Sequence, residues 1–301
     1  MKVLVTGGTG FVGRRLSEAL ARRGDEVHVA SRRPEAARRA VPGAKAVHPW
    51  PPPAPEALPS GLDAAVNLAG EPVAGRWTAR RRRAIRDSRI AGTAALVGAL
   101  GRQDRPPEVL LSASAVGYYG DRGEEVVGEE VGPGGDFLAR LCRDWEAEAR
   151  AAERWGARVA LLRFGIVLGA EGGALPPMMR AHRLGLGGRL GSGRQWWAWV
   201  HVDDAVRLIL HVLDGDLAGP VNVTAPHPVR QADFSRRLAE ALHRPAFLWT
   251  PRWALFAAVG GFAAELVASR RAVPRAAERS GFLFRFDTID RAFGDLLDQR
   301  S

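Results

Sequence analysis

Lys2-Val-Leu-Val-Thr-Gly-Gly-Thr-Gly-Phe-Val-Gly13 opens the chain with three kinds of residue in the order that a nucleotide site needs. Lys2 to Thr6 is a short apolar and β-branched run, which predicts a buried strand. The glycine-rich turn follows at once, and Val12, Leu16, Ala19 and Leu20 then share one face of a predicted helix. Strand, glycine turn and helix in direct succession give the pattern a meaning it lacks alone. Gly7 permits the tight turn, and Gly10 lets the backbone approach a pyrophosphate at the positive end of the helix, flanked by Thr9, Phe11 and Val12. Gly13 brings helix and strand together.

The next predicted strand, Glu26 to Ala30, ends in Ser31-Arg32-Arg33. A protein selecting NAD tends to place a carboxylate here for the ribose hydroxyls. A hydroxyl and two guanidiniums suit a 2′-phosphate instead, so Ser31 and Arg32 point to NADP(H); the competing reading is a surface arginine in an arginine-rich chain. A proline-rich connection, His48-Pro-Trp-Pro-Pro-Pro-Ala-Pro55, precedes the strand-like Asp63-Ala-Ala-Val-Asn67. The small residues Leu68, Ala69 and Gly70 then leave room for a dinucleotide across the sheet edge. The fold class expected is α/β, a Rossmann-like doubly wound parallel sheet with a smaller C-terminal substrate-side region.

The length of 301 residues and 46% hydrophobic content allow a full core. The net charge of +10 raises the question of nucleic acid, but all but two of the 43 basic residues are arginines spread along the whole chain. That spread resembles a compositional bias more than a docking stripe, and the run Arg80 to Arg83 reads as a solvated helix face. The single cysteine, Cys142, excludes an internal disulfide and a cysteine-rich metal site; no metal is expected, and a reducing cytoplasm fits. The first residues are too short and glycine-broken for a signal peptide. Trp253 to Ala268 falls short of the ~20 residues a spanning helix needs and reads as a packing helix.

The chain resembles the extended short-chain dehydrogenase/reductases. The resemblance rests on Thr6-Gly-Gly-Thr-Gly-Phe-Val-Gly13, Arg89-Ile-Ala-Gly-Thr93, Ser112-Ala-Ser-Ala-Val-Gly-Tyr-Tyr-Gly120, Leu162 to Gly169 and Trp199-Val-His-Val-Asp-Asp204. Asn67-Leu-Ala-Gly-Glu-Pro72, Gly185 to Gln195 and Arg244-Pro245 narrow it to the atypical epimerase family proteins, with a small C-terminal domain of unknown role from about Phe247. The likeness covers nearly the whole chain.

That resemblance implies a catalytic Ser, here Ser114, followed by a Tyr-x-x-x-Lys pair. Aligning Glu146 with the acidic residue that often follows the Lys puts Leu138 in the Tyr slot and Cys142 in the Lys slot. Leucine carries no proton, and a thiol cannot supply the ammonium field that depresses a phenol's pKa. Candidate proton donors are therefore Tyr118 and Tyr119, just after Ser114. His201 has a suitable resting pKa but is expected to shape the pocket's far wall, and Cys142 reads as a buried thiol. Arg89 and Arg163 are candidates for cofactor phosphate or ribose, with structural ion pairing as the rival for both.

Residues 1–165 read as the NADP(H)-binding domain, to which about 195–225 returns, 166–246 as the substrate side, and 247–301 as the C-terminal domain. The glycines at 165–173 and 185–193 would permit a lid, and Gln195-Trp-Trp-Ala-Trp199 a stacking wall; packing of the tryptophans is the alternative. Two roles stay open: an NADP(H)-dependent oxidoreductase or epimerase on a carbonyl or sugar-type substrate, or a catalytically silent NADP(H)-binding sensor or interaction protein. The expected partner is a small molecule, with no nucleic acid and no membrane; a homodimer stays open.

Overall fold

The computed structural model describes residues 1–52 and 57–298. Its centre is a seven-stranded, wholly parallel sheet. The first half runs β1 (Lys2–Thr6), α1 (Phe11–Arg22), β2 (Glu26–Ser31), α2 (Pro34–Ala40), β3 (Ala46–Pro49) and β4 (Ala64–Asn67). After it come α3 (Ala79–Leu100), β5 (Val109–Ala115), the short β6 (Val126–Val127), α4 (Phe137–Arg150) and β7 (Arg158–Phe164). Smaller elements follow: β8 (Ile166–Leu168), α5 (Leu175–Arg183), β9 (Gly188–Leu190), β10 (Trp196–Trp197) and β11 (Trp199–His201). The chain then forms α6 (Val202–Asp214), β12 (Gly219–Val223), β13 (Val229–Arg230), α7 (Gln231–Ala241) and β14 (Leu248–Thr250). It closes with α8 (Arg252–Val259), α9 (Ala263–Val267), β15 (Arg271–Ala272), α10 (Arg275–Arg279) and α11 (Ile289–Asp298).

The strand order β12-β7-β5-β4-β1-β2-β3 reverses direction between β1 and β4. That reversal opens a crevice at the carboxyl ends of β1 and β4, where ligands bind in open α/β sheets. Continuous apolar runs such as Val3 to Val5 and Leu110 to Leu111 are fully buried because helices cover both faces. Strand β3 departs from the sequence reading: His48 and Pro49, read as loop, complete an edge strand. An edge tolerates a proline because one side of it has no ladder to donate to. The proline-rich stretch continues into residues 53–56, outside the described residues.

Three glycines behave differently from expectation. A Cβ on Gly169 or Gly172 would overlap the Phe11 ring, and one on Gly173 would lie 3.1 Å from it. The segment is a slot that receives Phe11 from the turn after β1, in place of the expected hinge. The tryptophans likewise pack: Trp197 and Trp199 are buried with Phe234 and Phe293. Trp196 lies between Arg230 and Arg271, whose guanidinium carbons are 4.2 and 4.4 Å from its ring centre. Trp253 to Ala268 is two short helices broken at Gly260, which adopts φ 58°, and Trp253 is 75% exposed. Among the described residues, no helix is long and apolar enough to cross a membrane.

Gly169→Ala should cost about 1–3 kcal/mol, because the added methyl overlaps the Phe11 ring and forces it to shift. Gly294→Ala, in α11 with nothing within 4 Å of the added methyl, should instead gain about 0.5–1 kcal/mol. Urea midpoints of the two variants moving in opposite directions would bear this out; equal shifts would contradict it.

Candidate functional site

The turn after β1 is held from beneath. Gly7 adopts φ 67°, and a Cβ there would lie 2.6 Å from the Leu68 carbonyl oxygen at the end of β4. A Cβ on Gly13 would overlap the Gly7 carbonyl, so α1 can start only this close to the strand if residue 13 is glycine. Thr6 Oγ1 donates to Asn67 Oδ1 at 2.7 Å and accepts from the Ala69 amide at 3.2 Å. The Asn67 amide group donates to Thr93 Oγ1 (2.8 Å) and Ser112 Oγ (3.2 Å), and the Trp145 indole also donates to Thr93 (2.8 Å). This buried polar layer locks β1, β4, β5, α3 and α4 beneath the crevice, and each member is satisfied by another.

Above it, the N-terminus of α1 is bare. Gly10 is its N-cap, with no side-chain hydrogen bond and no acidic residue in the first turn. Helices α3, α4 and α6 are capped instead by Thr78, Asp136 and His201. Uncapped amides at a helix's positive end suit an anion. Thr9 and Gly10 are exposed, with Phe11 and Val12 half-buried beside them. Ser31 and Arg32 end β2 on one side of this turn, and Leu68, Ala69 and Gly70 follow β4 on the other. Arg32 is 70% exposed, and Ser31 Oγ accepts from the Arg33 amide at 3.1 Å.

Arg89 reaches this edge from α3. Its Nη1 donates to the carbonyls of Glu71 (2.9 Å) and Ile85 (3.2 Å), and its guanidinium carbon is 5.1 Å from the Trp145 ring centre. A Cβ on Gly70 would come within 3.1 Å of that guanidinium, so Gly70 makes room for it. Burial lowers the Arg89 pKa below its ordinary value.

Arg163 lies elsewhere. Only 3% of its side chain is exposed, and it grips Glu146 through Nε–Oε1 at 2.8 Å and Nη2–Oε2 at 2.9 Å. Its Nη1 donates to the Tyr119 hydroxyl at 3.0 Å and the Glu129 carbonyl at 3.3 Å. Burial opposes the charge, but Glu146 and Tyr119 outweigh it and raise the pKa. Every nitrogen of this guanidinium is engaged inside the protein, so the structural reading of Arg163 replaces the expected contact with cofactor.

The three candidate catalytic side chains have separate surroundings. Ser114 is buried, and its hydroxyl donates to Glu146 Oε1 at 2.7 Å. Tyr119 is wholly buried; its hydroxyl donates to Asn222 Oδ1 at 2.7 Å, and burial pushes its pKa up to about 12. That hydroxyl is closed to substrate, a correction to its candidacy. Tyr118 remains half-buried, with the Arg163 guanidinium carbon 3.5 Å from its ring centre. His201 is buried against Phe286 and accepts from the Asp203 amide, so it is an N-cap.

The Tyr slot is filled with hydrocarbon. Leu138 packs with Trp77, Ile85 and Leu141, beside Phe137 and with Phe262 brought in from the C-terminal region. Gly117 leaves the space that Leu138 takes up: a Cβ there would lie 3.3 Å from the Leu138 side chain. In the Lys slot, burial and then the Glu146 carboxylate push the Cys142 thiol up to about 12. The Arg80 to Arg83 run is only partly solvated, since Arg81 donates to Glu71 Oε1 at 2.6 Å and Arg82 covers Trp77 and Phe137. Sequence reasoning gave no role to Asn67, Thr93, Glu71 or Arg81. An amide ending an otherwise apolar strand, at Asn67, was the available signal.

A model of the NAD dependent epimerase/dehydratase family matches residues 3–224, and one of a domain of unknown function matches 250–296. The chain belongs to the NAD-dependent epimerase/dehydratase family. It is 42% identical over 298 residues to the epimerase family protein Mb2239 of Mycobacterium bovis, covering 97% of this chain and 96% of that one. With the epimerase family protein YfhF of Bacillus subtilis it shares 36% identity over 304 residues, covering 100% and 99%. The crystal structure of the human epimerase family protein SDR39U1 (isoform 2) with NADPH superposes with TM-score 0.88 at 33% identity, covering 99% of each chain.

Cys142 should resist iodoacetamide at pH 8 in the folded protein and react on unfolding; a folded-state rate near the unfolded one would contradict its burial. Both Cys142 and Tyr119 have raised folded pKa values. Their contribution to stability is therefore full below their unfolded values of about 8.5 and 10 and is lost as pH rises toward about 12. Urea midpoints should fall progressively above pH 9.

Proposed function

We propose that the protein binds NADP(H) across the carboxyl edge of the sheet. Ser31 and Arg32 take the 2′-phosphate, the Gly7–Gly13 turn with Thr9, Phe11 and Val12 takes the pyrophosphate, and Leu68, Ala69, Gly70 and Arg89 flank the nicotinamide half. The observation that carries this reading is the uncapped, acid-free start of α1 at the sheet's reversal point. The relation to human SDR39U1, solved with NADPH, supports the choice of nucleotide.

On the reaction side we read an oxidoreductase or epimerase-like activity toward a carbonyl or sugar-type substrate, without the Tyr-x-x-x-Lys couple. Ser114 offers its oxygen as an acceptor to a substrate hydroxyl while its own O–H donates to Glu146. Tyr118 is the phenol left for proton transfer. The apolar filling around Leu138 and the neutral thiol of Cys142 favour a second reading, a protein that binds NADP(H) without turnover.

Fluorescence titration should show NADPH binding about tenfold or more tighter than NADH, since a charge-assisted bond to the 2′-phosphate contributes about 1.5–3 kcal/mol. Arg32→Ala should erase the difference, and equal wild-type affinities would rule this assignment out. Oxidation of bound NADPH by any member of a panel of aldehydes, ketones, quinones and nucleotide sugars would select the enzyme reading. Silence across that panel would select the binder.

A further inference from the structure

Strand β1 lies between β2 and β4, so side chains that leave the ends of β2 and β4 can meet above the turn that follows β1. Arg32 and Glu71 do so: Arg32 Nη1 is 3.7 Å from Glu71 Oε2, an ion pair that spans the groove. The other carboxylate oxygen of Glu71 accepts from Arg81 Nη1 at 2.6 Å, and Arg81 Nη2 donates to the Pro72 carbonyl at 2.6 Å. The two arginines are held differently. Arg81 is bound by short hydrogen bonds and is 30% exposed, whereas Arg32 is 70% exposed and too far from Glu71 for a hydrogen bond. Arg81 is thus the fixed counter-ion of Glu71, and Arg32 is the releasable one.

We infer that Glu71 is a specificity-determining residue for the nucleotide. Its carboxylate holds Arg32 above the turn that follows β1 and competes with the ribose 2′-phosphate for that guanidinium, which lowers the preference for the phosphorylated cofactor. The inference rests on the NADP(H) reading above and adds an opposing residue to it. An NAD-selecting protein puts a carboxylate at the end of β2 to bind the ribose hydroxyls; here a carboxylate enters the same region from the end of β4 and binds the arginine.

The test uses the full chain, with 2′,5′-ADP and 5′-AMP as probes that differ only by the 2′-phosphate, alongside NADPH and NADH. Glu71→Gln should tighten 2′,5′-ADP and NADPH about three- to fivefold, the scale of one exposed ion pair, and leave 5′-AMP and NADH within about twofold. Glu71→Ala should do the same, which guards against a peculiarity of one variant, and thermal melts report whether each is folded. In an Arg32→Ala background the gain should vanish, because no guanidinium is left to release. An unchanged or weakened preference in folded Glu71 variants overturns the inference, as does a gain that persists without Arg32. Wild-type protein that binds neither NADPH nor 2′,5′-ADP overturns the NADP(H) reading itself, and the inference falls with it.

Discussion

The turn between β1 and α1 closes only because residue 13 has no side chain: a methyl group there would overlap the Gly7 carbonyl. This steric condition positions the start of α1 above the sheet's reversal point, and with it the bare amides that suit a pyrophosphate. Phe11 extends the constraint outward. Its ring fills the slot made by Gly169, Gly172 and Gly173, so the turn that faces the ligand is also pinned to the segment after β8. From below, the Thr6–Asn67–Thr93–Trp145 hydrogen bonds tie the same turn to three further elements, β4, α3 and α4. A turn braced on these sides is pre-organised, and pre-organisation lowers the entropic cost of binding a ligand there.

Around Ser114 the structure combines a buried ion pair with an apolar helix face. The Glu146–Arg163 pair, almost wholly buried and bidentate, joins α4 to β7 and receives the Ser114 hydroxyl. Removing one partner of such a pair typically costs 3–5 kcal/mol, because the other charge is left buried and uncompensated. One turn and two turns before Glu146 on the same helix lie Cys142 and Leu138, which the sequence resemblance aligns with an ammonium and a phenol. General acid catalysis is worth typically 10²–10⁴-fold, or about 3–5.5 kcal/mol of barrier. Hydride chemistry here would have to proceed without that contribution or draw it from Tyr118 or water. The apolar cluster over Leu138 includes Phe262, so the region after residue 250 supplies part of the wall around it.

The cofactor edge was legible in the sequence because its signals are local. Gly7, Gly10 and Gly13 lie within one strand-turn-helix unit, and Ser31-Arg32 and Leu68-Ala69-Gly70 lie directly at strand ends. The helix that carries Leu138 and Cys142 was legible for the same reason, its apolar face being a local pattern. Misreadings came where meaning depends on distant partners. Gly169, Gly172 and Gly173 resemble a hinge until Phe11, more than 150 residues earlier, is placed against them. Tyr119 and Arg163 resemble site residues until Asn222 and Glu146 are seen to consume their polar groups. Strand β3 was hidden by Pro49, which an edge position tolerates and a central strand would not. Arg32 and Glu71 carried no joint pattern, since their pairing follows from the order in which β2, β1 and β4 lie.

The account turns on where a pyridine nucleotide lies relative to the start of α1. A crystal structure of the protein with NADPH tests this directly. The predicted result has pyrophosphate oxygens within hydrogen-bond distance of the backbone amides at Phe11 and Val12, the 2′-phosphate beside Arg32, and the nicotinamide above the carboxyl ends of β4 and β5. A pyrophosphate bound away from the Gly7–Gly13 turn, or a groove that stays empty at saturating NADPH, would contradict it.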